Sequence, residues 1–116
     1  MGKLKFFWDK SGTAHADATN KREQELVWFL EDDVQASSWA CQEILRHIDA
    51  VASGREAEWA GTGNAHTLIL TPQKAILENE YVEPQLTYEL PLEEFRQLLQ
   101  EYLVFVETGH SRQVSA

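Results

Sequence analysis

The chain has 116 residues, 43% hydrophobic with three prolines: one domain's worth of sequence, apolar enough to form a core and too apolar for intrinsic disorder. Nineteen acidic against ten basic residues give a formal charge of −9. That disfavours unassisted binding to nucleic acid or anionic membranes, where Lys and Arg must neutralise phosphates, and it favours a basic partner while also keeping a small domain soluble.

In chain order, residues 3 to 8, KLKFFW, read as a strand, Asp9-Lys10-Ser11-Gly12 as a hairpin turn, and Thr13 to Thr19 as the returning strand. In that second strand Thr13, His15 and Asp17 alternate with Ala14, Ala16 and Ala18, which gives one polar face and one small face. The run ELVWFL, 25 to 30, is apolar and short, and it reads as a strand. Ser37 and Ser38 cap a helix over 38 to 53, in which Cys41, Ile44, Leu45, Ile48 and Val51 recur at helical spacing and Gly54 supplies a left-handed stop. Strands are predicted at 56 to 60, 65 to 71, 74 to 81 and 85 to 90, with links too short for anything but antiparallel pairing. Pro91 starts a second helix, 91 to 107, with an apolar stripe of Leu92, Phe95, Leu98, Leu99, Tyr102, Leu103 and Val106; Gly109 ends it. These elements make an α+β fold: one domain over 1 to 109, an antiparallel sheet of N-terminal hairpin plus central meander packed by two helices, and a flexible tail over 110 to 116.

The most motif-like stretch is WAGTGNAHTLILTP, 59 to 72. A phosphate-binding glycine loop must open a helix, whose first N–H groups do the binding. Here Thr, Leu and Ile follow, so the stretch continues as a strand, and Gly63-Asn64 is expected to supply positive backbone φ in a tight turn. The single cysteine, Cys41, permits no internal disulfide or multi-thiolate zinc site and fits a reducing compartment. It has no base beside it, because His47 lies six positions on, about 240° around the helix; a buried inert thiol is the expectation. His15, His47, His66 and His110 lack metal-ligand spacing, so no metal and no cofactor is expected. The context of Gly2 does not fit a myristoylation signal, and no stretch nears the roughly 20 apolar residues of a membrane span. The cytoplasm is the expected compartment.

Two acidic groups stand out. Glu78 and Glu80 share one strand face, with Tyr81 and Glu83 beside them, and Glu31, Asp32 and Asp33 precede the first helix. With Trp59 they form an acidic surface with aromatic anchors, suited to a basic protein partner. Glu78, Glu80 and His66 could instead act together as acid and base. Glu31 to Asp33 could equally favour a helix N-terminus.

The succession of FFWDKSG, a helix closed by glycine, WAGTGNAHTLIL, AILENEY and YELPLEEFRQLLQEYLVFV resembles the YacL-like family of small bacterial proteins over nearly the whole chain. Proteins of this plan are similar to immunity proteins of contact-dependent growth inhibition and related polymorphic toxin systems. That resemblance implies stoichiometric occlusion of a cognate toxin domain, commonly a nuclease, without chemistry; it carries over no binding residues. The alternatives are a housekeeping adaptor domain, or an enzyme built on Glu78, Glu80 and His66.

Overall fold

The hairpin forms as its turn chemistry requires in the computed structural model, which describes residues 3–109 and 112–115. Strand β1 (Lys3–Trp8) pairs antiparallel with β2 (Ala14–Ala18). The Asp9 carboxylate accepts from the Ser11 and Thr13 backbone N–H groups at 2.9 and 3.0 Å, and Gly12 adopts φ +86°, where a side chain would be strained. Within 110 to 116, Arg112–Ser115 form strand β7, which pairs with β1 and completes a three-stranded sheet ordered β2-β1-β7. His110, Ser111 and Ala116, like Met1 and Gly2 at the other end, lie outside the described residues.

The run expected as a strand at 25 to 30 is helical. A 3₁₀ turn, Lys21–Glu23, leads into helix α1 (Gln24–Trp28) and then a π-helical turn, Phe29–Val34. Asn20 caps the start by accepting from the Arg22 N–H at 2.8 Å. Five consecutive apolar residues, Leu26 to Leu30, give no period to distinguish the alternatives, and the wider π turn lets Phe29, Leu30 and Val34 all face inward. The turn ends at Gln35 and Ala36, both left-handed with φ of 56° and 58°. That conformation is costly without glycine; it is secured partly by the Ala36 N–H donating to the buried Tyr102 hydroxyl at 3.2 Å.

Helix α2 (Ser38–Ala52) begins with the Ser37 hydroxyl accepting the Ala40 N–H at 3.1 Å. The meander follows as β3 (Trp59–Thr62), β4 (His66–Leu70), β5 (Lys74–Asn79) and β6 (Leu86–Pro91), a second, four-stranded antiparallel sheet. Hairpin and meander are thus two sheets rather than one. Helix α3 (Leu92–Thr108) packs on α2 and touches β5 and β6 of one sheet and β1 and β7 of the other. Its buried Leu92, Phe95, Leu98, Leu99, Tyr102 and Phe105 make it the common spine, each apolar side chain contributing about 1.5–3 kcal/mol of burial. Pro91 closes β6 and caps α3, one residue before the position expected for it. Among the described residues no helix is long and apolar enough to cross a membrane.

The register of the meander decides which side chains can meet. His66, Leu68 and Leu70 alternate inward with Asn79, Leu77 and Ala75 opposite them. Thr67 and Glu78, paired one residue along, therefore face away on the outer side.

Candidate functional site

The π turn and the β3–β4 turn are joined by one carboxylate. Asp33 accepts the Ala65 N–H at 3.1 Å and the His66 N–H at 2.9 Å, so a side chain from more than thirty residues upstream holds the start of β4. The Asn64 side-chain amide answers by donating to the Asp32 carbonyl at 2.9 Å. The turn closes with the Gly63 N–H donating to the His66 carbonyl at 2.9 Å. Neither Gly63 nor Asn64 has the positive φ expected of it. Glycine is required at 63 for another reason: a Cβ would stand 2.7 Å from an Asp33 oxygen, so only glycine lets the carboxylate approach.

Behind the turn, His66 is fully buried between two acids. Its Nε2 lies 2.8 Å from a Glu25 oxygen and its Nδ1 3.4 Å from an Asp33 oxygen, while the ring edge-packs on Phe29 at 6.1 Å. Asn79, paired with His66 across the strands, donates its amide to Glu25 at 3.2 Å and accepts the Tyr81 N–H at 2.9 Å. Burial pulls the imidazole toward its neutral form, but hydrogen bonds to Asp33 and Glu25 and their charge outweigh it, so His66 titrates above its ordinary 6.5. The two carboxylates sit on opposite ring nitrogens and do not converge on a point. Among the described residues no group of three or more His, Cys, Asp or Glu side chains is arranged to hold a metal ion.

In front of His66 opens a cleft of about 360 Å³ between α2 and the β3 edge. Phe29, Leu68 and His66 floor it; Trp39, Glu43 and His47, at i, i+4, i+8, form the α2 wall, and Trp59, Gly61 and Thr62 form the other. Trp59 is fixed before any ligand arrives. Its indole stacks on His47 with centroids 4.4 Å apart and planes 18° apart, and it folds so closely over Gly61 that a Cβ there would be 2.6 Å from the ring. Trp39, by contrast, is 70% exposed. The cleft is aromatic and mostly apolar, and among the described residues no lysine or arginine lines it.

The residues expected to face a partner divide accordingly. Asp33 is a correction: its side chain is 4% exposed and its oxygens are committed within the fold. Glu31 also turns inward in part, accepting the Ala16 N–H of edge strand β2 at 3.0 Å. Asp32, Glu80, Glu83 and Tyr81 are exposed, Tyr81 at 78%; Glu78 is half-buried on the outer sheet face. Two of these acids flank the β3–β4 turn. Asp32 holds Asn64 on one side, while on the other the Glu80 N–H donates to the Ala65 carbonyl at 2.8 Å and its carboxylate accepts from the Thr67 hydroxyl. The proposed joint action of Glu78, Glu80 and His66 fails on register: His66 points inward, Glu78 outward, and the acids that meet His66 are Glu25 and Asp33.

Sequence reasoning missed Trp39, Glu43, His47 and Glu25. The first three recur at helical spacing on the α2 face beside the apolar stripe, a signal present in the sequence. Glu25 gave none, since a buried acid inside an apolar run looks like a strand boundary. Cys41 matches its inert reading: it is fully buried, and burial pushes its thiol up to about 12. No protein-family model, curated protein or solved structure matches this chain.

Proposed function

We propose that this chain is an immunity-type protein that binds a basic protein partner, a bacterial toxin domain of the nuclease kind, and neutralises it by occlusion. The observation that carries this reading is the cleft itself: a preformed aromatic slot with an exposed Trp39 and with Glu43 on its wall, in a chain of charge −9. Exposed tryptophan beside a fixed aromatic wall is the composition of an interface anchor, and the acids around it speed encounter with a positive surface. Nuclease domains present such surfaces because they must hold phosphates. The resemblance to YacL-like and immunity proteins points the same way.

The test is co-expression with toxin domains encoded beside this gene. A one-to-one complex and rescue from growth arrest are expected. A chain that neither binds nor protects against any of them is not an immunity protein.

A further inference from the structure

The free edge of β3 runs along the cleft. β3 is the outer strand of its sheet, and among the described residues no strand pairs with its open side. An edge of this kind presents unpaired backbone N–H and C=O groups, which folds usually blunt or cover. Here it is left beside a slot of about 360 Å³, at the small end of the roughly 300–1,000 Å³ of ligand pockets. Trp59 and Gly61 line the slot from alternate positions of the strand, so the face that would take an added strand's alternate side chains is the one that is hollow.

Charge decides the kind of segment. Glu56 and Glu58 precede β3, Asp32 and Glu80 flank the turn that follows it, and Glu43 stands on the α2 wall. Arg46 and Arg55 offset this only in part, and Arg46 is already bonded to Glu43. We propose that β3 is the acceptor for strand addition: an extended basic segment of the partner pairs its backbone with Trp59–Thr62. It seats one large apolar or aromatic side chain between Trp39 and Trp59 and sets its alternating lysines or arginines on the outer sheet face, toward Glu58 and Glu80. Main-chain bonds supply affinity in this mode, and the pocket beside the edge supplies specificity. The proposal rests on the binding reading above, but not on the partner being a toxin.

The experiment titrates the ¹⁵N-labelled full chain with three peptides: acetyl-KVKWKV-amide, its acidic counterpart acetyl-EVEWEV-amide, and acetyl-KPKWKP-amide, whose prolines remove backbone donors. The basic peptide should shift the Ala60, Gly61 and Thr62 amides and the Trp39 and Trp59 indole N–H signals. The other two peptides, and Trp39→Ala with the basic one, should each bind at least about tenfold more weakly, the loss of one interface anchor. Trp39 is solvent-exposed, so this variant leaves the core intact. Equal binding of all three peptides, shifts confined to β6 or to Ile69 and Ile76 on the outer face, or no shift at millimolar peptide would overturn strand addition. A toxin complex that forms while the peptides fail moves the interface and spares the immunity reading; peptide binding without any toxin complex removes the toxin and keeps the groove.

Discussion

His15 lies between Asp9 and Glu31 on the hairpin, and His66 lies between Glu25 and Asp33 behind the cleft. The chemistry is the same at both; the surroundings are not. The His15 side chain is 34% exposed, stacked on Phe7 at 5.5 Å, and its near partner is six residues away in the same hairpin. The His66 side chain is 0% exposed, and its partners come from 33 and 41 residues away, so it ties α1, the π turn and β4 together. Water competes for every bond at the first site and screens its charges. At the second, removing one group leaves the others buried and unanswered, which is why equal constellations differ in what they hold up.

Breaking the buried site should show this most strongly. Asp33→Ala strands two backbone N–H groups and one side of the ring, and urea denaturation should record a loss of about 3–5 kcal/mol. A loss below about 1 kcal/mol, the scale of surface pairs, would put the two sites on one footing. Next in size is Gly63→Ala, whose methyl group meets the Asp33 carboxylate; about 1–3 kcal/mol is expected from overpacking. Most of that cost should vanish when Asp33→Ala is made in the same chain, and simple additivity would show that the contact is not the cause.

A smaller effect separates the sites by pH. A histidine whose folded-state pKa is raised contributes in full below its unfolded value of about 6.5, and the contribution is lost as pH rises through the folded value. Both histidines are raised, His66 against its burial by its two acids and His15 chiefly by its bond to Asp9. Stability should therefore fall as pH climbs above about 6.5. The decline should persist in His15→Ala and flatten in His66→Gln; the opposite pattern would assign it to the hairpin. Least of all, His15→Ala should leave the urea midpoint at neutral pH where it was, and a clear shift would mean that the turn depends on its histidine.

The legible parts of this fold are those whose signals are local. α2 and α3 announced themselves through Cys41, Ile48 and Val51 and through Leu92, Phe95 and Leu99 at helical spacing, and the meander through alternation with turn residues between strands. The α1 and π-turn segment was not legible, because Leu26 to Leu30 are all apolar, the partly exposed Trp28 included. Asp33 looks like a surface acid in the sequence because its donors lie at 65 and 66, and no local window of sequence contains both ends. Trp59 was legible as a residue of interest, yet the ridge facing it was not, because attention to a helix's apolar stripe hides what its other face presents.

The ridge of Trp39, Glu43 and His47 also bears on how such a protein could diversify. Trp39 and Glu43 reach the cleft from the solvent side of α2, whereas the helix is anchored by Cys41, Ile48 and Val51 on its other side. The slot's exposed wall is thus separate from the buried residues that hold it in place, among them Phe29, Leu68 and His66 of its floor. A lineage could rewrite Trp39 and Glu43 to follow a changing partner while the buried acids and His66 kept the frame constant, and recognition could drift without folding having to be reinvented.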